Sequence, residues 1–295
     1  MTLLNDFSSS VTLRMILGMV RSLLVRSLIS IVVLFHRFRE EKVLMIVVTS
    51  LSPNEIVAQK GFVLIPRGIT FENYSAILNS GYMPSFYNSI FVTAAATLVS
   101  MAMTLVMGYA LAHKSLPGRS AVLKFVFATM MLDAGIIPFY LVVRYLGMID
   151  SYLSLIIPSA ISTYNLILMK NYMGSIPDSL LESARIDGCS ELGILVKIVI
   201  PVSIPIIAAV TLFYTVSHWN TYYLVVMFIN DSSKYTLQVL LRQLIFQSES
   251  ALSSVSAMNN FKMAVMIMTM LPVLILYPFI QKYFISGIML GSIKG

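Results

Sequence analysis

A chain of 295 residues with 58% hydrophobic and only 11% charged side chains cannot cover a water-soluble globule, since soluble domains carry about 25% charged residues; lipid has to be the solvent for much of it. The net charge of +7 does not signal a nucleic-acid partner, because the Lys and Arg residues are scattered between apolar runs and form no dense patch to match a phosphate backbone. A single cysteine, Cys189, excludes an internal disulfide and any Cys-based metal cluster.

A spanning helix needs about 20 apolar residues to cross roughly 30 Å of hydrocarbon. Met1–Ser10 is polar, and no small-residue cleavage site follows an apolar run, so no cleavable leader is expected. Ile16–Phe35 is apolar but contains Arg21 and Arg26, and the charged cluster His36–Lys42 follows it. The first span is therefore expected at Ile16–Phe35, or re-formed around Val43–Leu51. Ser52–Asn88, with Pro53, Pro66, Gly68 and Gly81, reads as mostly loop. Ile90–Ala112 is an uncharged span, Phe125–Val143 a second interrupted only by Asp133, and Ser151–Met169 a third. Pro138 and Pro158 are expected to bend their spans. Ile198–Asn230 is too long for one crossing. Its start, with Pro201 and Pro205, reads as a bent entry, and the span proper as Ile204–Phe228. Asp231–Asn260 is polar, with a short helix expected at Tyr235–Phe246, and Met263–Gln281 is the last span. The fold class is thus all-α, a polytopic membrane protein of about six spans.

Orientation follows from the basic residues. Placing Lys114, Arg119 and Lys124 inside also places Arg14, Lys170, Arg185, Lys197, Lys282 and Lys294 inside; Lys60, Arg67, Arg144, Lys234, Arg242 and Lys262 fall outside. That bias puts both termini in the cytoplasm.

The longest inner segment, Asn171–Lys197, is punctuated as two short helices. Ser175 can cap the first, Pro177 suits its first turn, and Asp178 and Glu182 favour its N-terminal half. Gly188 is a C-terminal stop. Ser190 and Glu191 then open a second helix that runs to Pro201. From the residues alone this is a helix–turn–helix between spans, able to dock on a partner and move a membrane helix, or merely to connect.

Glu182-Ser-Ala184-Arg-Ile-Asp187-Gly188, followed by Ile198-Val-Ile-Pro201, resembles the EAA loop of importer permeases of the ATP-binding-cassette (ABC) class. The loop departs from that pattern at Ser183 and Ile200. From about Ile69 onward, Phe71-Glu-Asn-Tyr74, Tyr87-Asn-Ser89, Trp219-Asn220 and the ending Gly287–Gly295 look like the second carbohydrate permease of maltose-type transporters. Gly135–Pro138 and His218-Trp219-Asn220 are most similar to permeases for oligosaccharides, including the alginate importer. Along the chain this reading gives an N-terminal segment 1–51, which departs from the family because His36–Lys42 breaks its smooth first span, an extracytoplasmic segment 52–88, a permease core 89–285 with coupling loop 173–201, and a cytoplasmic tail 286–295. The resemblance implies that Glu182, Ala184, Asp187 and Gly188 couple to an ATPase in the bacterial inner membrane. The implied partners are a second permease, two ATP-binding-cassette subunits, an extracytoplasmic solute-binding protein and a saccharide.

The sequence contains no G-x-x-x-x-G-K-[S/T] phosphate loop. ATP and Mg are therefore expected on a separate ATPase, with no cofactor, metal site or catalytic residue in this chain. Inside the membrane, Asp133 either lines the path or pairs with a polar group on another helix. Asn165, His218 and Asn220 could bond sugar hydroxyls, or only each other's helices. Tyr164, Tyr214 and Trp219 could stack on sugar rings, or only pack. Ala94–Ala96, Ser100 and Gly108 are expected to allow close helix contact. The same fold could instead carry a sugar phosphate or other polar solute, or be an ion-coupled transporter using Asp133.

Overall fold

The computed structural model describes residues 44–60, 68–79, 81–132, 134–250 and 260–276. The expected span Ile16–Phe35, the cluster His36–Lys42, Asp133 and the tail 286–295 lie outside the described residues. Among the described residues every regular element is a helix. They are α1 (residues 44–50), α2 (Asn54–Lys60), α3 (Glu72–Leu78), α4 (Tyr82–Ala112), α5 (Arg119–Met131), α6 (Ile136–Tyr145) and α7 (Leu153–Ile156). Then come α8 (Thr163–Met173), α9 (Asp178–Ile186), α10 (Glu191–Val202), α11 (Ile204–Trp219), α12 (Tyr223–Phe228), α13 (Leu237–Ser250) and α14 (Asn260–Leu276). The described residues fall into two compact units, one within Met1–Asn73 and Ser254–Ala264, the other within Tyr74–Ser253 and Val265–Gly295. In the first, the Asn260 amide donates to the Ser52 carbonyl at 2.9 Å. The second holds α4 to α13.

Helix α4 is its axis. Its 31 residues span about 46 Å at 1.5 Å per residue, more than the roughly 30 Å of hydrocarbon. It starts at Tyr82, eight residues before the expected span, because Pro84 lies in its first turn, where a missing N–H costs nothing. Ser85, Ser89, Thr93, Ala96, Ser100, Thr104 and Gly108 are buried along one face, and Leu98 and Val106 point outward. Small residues let neighbouring backbones approach where lipid supplies no hydrophobic drive between helices. At Gly108 a Cβ would lie 3.0 Å from Met169 Cγ, so α4 and α8 cross there at glycine distance. Of the expected Ala94–Ala96 contact, only Ala96 is buried.

Two expected spans are each broken. Phe125–Val143 is α5 and α6, because Leu132 turns extended after α5 and Pro138 falls in the first turn of α6. Ser151–Met169 is α7 and α8, with Pro158 in the turn between them and Ser162 capping α8 through the Asn165 N–H. Ser52–Asn88 is not mostly loop, since it holds α2, α3 and the start of α4.

The bent entry is present. Pro201 has no N–H to give the carbonyl of residue 197, and α10 widens into a π-helical turn over Leu195–Val199 just before it. The helix stops at Ser203, and α11 leaves at 85° to α10, with Pro205 in its first turn. Among the described residues α4 alone is long and apolar enough to cross a membrane, and the bent pair α10–α11 qualifies together. A buried apolar column joins these elements, from Leu181 and Ala184 of α9 through Met173, Ile194 and Val199 to Val210 and Tyr214 of α11.

On the other side of the unit, Asp150 ties two loops together. Its Oδ1 accepts the backbone N–H groups of Asn230 and Asp231 at 3.1 and 3.0 Å, and Lys234 Nζ lies 3.0 Å from Oδ2. The Asp231 N–H and the Lys234 ammonium hold the Asp150 carboxyl below the usual carboxylate range. A group held low stabilises the fold above its ordinary range and stops doing so as pH falls through the lower folded value. Proteolysis of segments 146–152 and 229–236 in detergent is therefore expected to be flat from pH 7 to 5 and to rise only below about pH 4. Asp150→Asn should show that raised susceptibility already at pH 7. Asp150 has φ 60°, a conformation Asn also tolerates, so the substitution tests the charge.

Candidate functional site

The first candidate is the α9–α10 hairpin. Asp178 lies in the first turn of α9 and Arg185 in its last, as the helix dipole favours. Ser175 does not cap α9. Its hydroxyl donates back to the Tyr172 carbonyl at 2.7 Å, and Pro177 occupies the cap position instead. The expected stop at Gly188 is a complete Schellman turn. The Cys189 N–H donates to the Ala184 carbonyl and the Gly188 N–H to the Arg185 carbonyl, both at 3.0 Å, with Gly188 at φ +80°. Ser190 then caps α10 through the Gly193 N–H at 3.2 Å. Ala184 is buried against the column; Glu182, Asp187 and Gly188 are exposed together on the outer side, and Ile186 beside them is 87% exposed. An exposed acidic surface around a bare isoleucine suits contact with another protein better than contact with water.

A polar cluster under this hairpin went unread in the sequence. Arg185 Nε donates to Glu191 Oε1 at 2.8 Å and the Tyr109 hydroxyl to Glu191 Oε2 at 2.7 Å. Arg185 Nη2 lies 2.9 Å from His113 Nε2, and His113 Nδ1 lies 2.9 Å from the Tyr109 carbonyl. A carbonyl only accepts and a guanidinium only donates, so neutral His113 with its proton on Nδ1 satisfies both contacts. Arg185 first, then Tyr109, holds the Glu191 carboxyl below its usual range. Opposite charges at 185 and 191 around a glycine turn were a readable signal; Tyr109 and His113, on a helix some 70 residues earlier, gave none.

The second candidate is a pocket of about 550 Å³ between α8 and α11. Asn165 and His218 both line it, with Tyr164, Phe213, Tyr214 and Ser217. Tyr164 and Phe213 are tilted rings 6.4 Å apart. Tyr214 stacks on His218 at 5.8 Å and 6°. His218 Nε2 lies 3.1 Å from Ser100 Oγ. The Tyr214 hydroxyl accepts the Ser162 N–H at 3.0 Å and lies 2.7 Å from Thr104 Oγ1. The pocket is thus lined by aromatic faces and neutral hydrogen-bonding groups, and its lining among the described residues carries no Asp, Glu, Lys or Arg.

Trp219 and Asn220 do not line it. Trp219 Nε1 donates to the Thr269 carbonyl at 2.9 Å, and its ring faces an apolar groove of about 560 Å³ beside α4 and α14. Asn220 ends α11 and binds the Val216 carbonyl at 2.8 Å and Gln238 at 3.3 Å. Among the described residues no cluster of His, Cys, Asp or Glu could hold a metal ion.

Residues 105–289 match the family described as the binding-protein-dependent transport system inner membrane component. The chain belongs to that family. The binding-protein-dependent transport components are transporter permeases of the inner membrane, not catalytic subunits. The polygalacturonan/rhamnogalacturonan transport system permease protein YtcP of Bacillus subtilis is 43% identical over 259 residues, covering 85% of this chain and 91% of its own. The arabinooligosaccharides transport system permease protein AraQ of the same organism is 31% identical, covering 83% and 87%. The crystal structure of a bacterial ABC transporter involved in the import of the acidic polysaccharide alginate contains a chain that superposes with a TM-score of 0.78. That chain is 31% identical, with coverage of 91% and 96%.

Proposed function

We propose that this chain is the permease subunit of an ATP-driven importer that brings an oligosaccharide into the cytoplasm by alternating access. The observation that carries this reading is the 43% identity to a polygalacturonan/rhamnogalacturonan permease across 85% of the chain. In this reading the chain crosses the membrane six times with both termini inside. It pairs with a second permease and two ATPase subunits that hold ATP and Mg, and it receives cargo from an extracytoplasmic binding protein. Exposed Glu182, Asp187 and Gly188 on the α9–α10 hairpin form the surface offered to an ATPase, with Ala184 seating the helix. ATP closure favours the outward state because the hairpins contact the closed ATPase pair differently from the open one.

Asn165 and His218 supply this subunit's wall of the path. Their pocket is suited to ring faces and hydroxyls, through CH contacts on Tyr164 and Phe213 and hydrogen bonds to neutral groups. Trp219 and Asn220 lie outside that pocket's lining, Trp219 on the apolar groove beside α4 and α14 and Asn220 exposed at the end of α11.

Uptake of labelled oligosaccharides by cells carrying the complete importer tests the reading. Deleting this chain should abolish uptake of one oligosaccharide class while leaving growth on free monosaccharides intact. Uptake that persists after the deletion would show that another system carries the sugar and would overturn the reading, whereas uptake by the intact cells that collapses with a protonophore while ATP stays high would favour an ion-coupled transporter. Selective loss of sugar-phosphate uptake would favour that cargo.

A further inference from the structure

We infer that Tyr109, His113, Arg185 and Glu191 form a latch that fixes the α9–α10 hairpin to the inner end of α4, so that a displacement of the hairpin moves α4 with it. This rests on reading the hairpin as the surface offered to an ATPase. The four residues come from two places far apart in sequence. Tyr109 and His113 lie one helical turn apart at the end of α4, while Arg185 and Glu191 flank the Gly188 turn. Both carboxylate oxygens of Glu191 are engaged, one from each side of the joint. Arg185 uses Nε on Glu191 and Nη2 on His113, so its guanidinium spans the joint as well. His113 closes the circuit onto the Tyr109 backbone.

The apolar contact beneath does not do this alone. Helix α9 is nine residues long and buries only Leu181 and Ala184. Two apolar side chains against Met173, Ile176 and Ile194 hold a short helix down without fixing its register, since dispersion and apolar burial are non-directional. Directional bonds to a planar fork and a carboxylate fix it. The latch adds little to stability. The Arg185 and Glu191 side chains are 39% and 58% exposed, and exposed pairs are generally weak. Breaking it therefore leaves a folded protein in which the hairpin can shift without carrying α4.

The test uses the whole importer, with this chain beside its partner permease and ATPase subunits, in proteoliposomes. Saccharide uptake and ATP hydrolysis are measured in the same vesicles for Arg185→Met, Glu191→Gln and the double variant. Each single variant should lower uptake per ATP about 3–5-fold, the order that the loss of one exposed ion pair allows, with complex yield unchanged. The double variant should be no worse than either single one, because the pair acts as a unit. An unchanged ratio, or losses that multiply in the double variant, would overturn the latch. So would equal loss of uptake and hydrolysis, which is the signature of failed docking. A nitroxide on Cys189, this chain's only cysteine and exposed beside the turn, reads the latch without transport. Its mobility should rise in both single variants, and equal mobility in all forms would also overturn the proposal. Absence of saccharide-stimulated ATP hydrolysis in the unaltered complex would instead remove the importer reading, and the Cys189 measurement would still judge the latch.

Discussion

Gly188→Val is expected to reduce transport about 10-fold or more while the chain still inserts and accumulates normally. The backbone at Gly188 has φ +80°, where an L-residue costs roughly 1–2 kcal/mol and a β-branched one more. A Cβ added there meets nothing within 4 Å, so the cost is conformational and not a clash. Relief comes from unwinding the Schellman turn, which frees the carbonyls of Ala184 and Arg185 and frays a helix too short to persist alone. Such an energy shifts the population of correctly turned loop by a factor of about 5–30. Gly188→Asn should retain more than half of transport, because Asn tolerates the left-handed region. Uptake normalised to chain content in the membrane decides the matter. Normal uptake by Gly188→Val would mean that the turn is not the element an ATPase moves.

Tyr214→Phe, the deletion of a single oxygen, should destabilise the chain well beyond the usual cost of a surface change. The lost hydroxyl serves two partners on two helices, the Ser162 N–H that opens α8 and Thr104 Oγ1 on α4. Orphaning buried partners costs about 1–3 kcal/mol, which should appear as a lower thermal aggregation midpoint in detergent and as weakened uptake. Thr104→Val in the same chain removes one of the orphans, so the double variant should be no less stable than Tyr214→Phe alone. Full additivity of the two losses would show that the hydroxyl does not bridge them. Tyr214→Leu should be worse than either, because it also leaves a void beside His218 in the column.

What could be read from the sequence was what is written locally. The apolar run of α4, the prolines that bend α10 away from α11, and the glycine that ends α9 all declare themselves within a few residues. Breaks inside apolar runs were harder. Phe125–Val143 has the hydropathy of one span, and only Asp133 within the run, Gly135 at the cap of α6 and Pro138 in its first turn mark that a new helix starts there. Ser175 has the chemistry of a cap, but its hydroxyl turned back to α8 and Pro177 took the position. Contacts between distant segments were not legible. Nothing near Asn165 or His218 says that they share a pocket while Trp219, one residue further, faces away from it. Nor does anything near Tyr109 point to Glu191, which lies on a different helix.

The corner at Ser203 also has a mechanical meaning. Helices α10 and α11 are arms of about 18 and 24 Å set at 85°, the shape of a bell crank. If the corner holds rigid, a shift of about 2 Å at the Glu191 end, the size of helix movements in known switches, turns the crank by about 6°. The far end of α11 then travels about 3 Å at right angles to the shift. That end carries Tyr214 and His218, so a thrust at the hairpin would emerge as a sideways opening or closing of the pocket wall against α8.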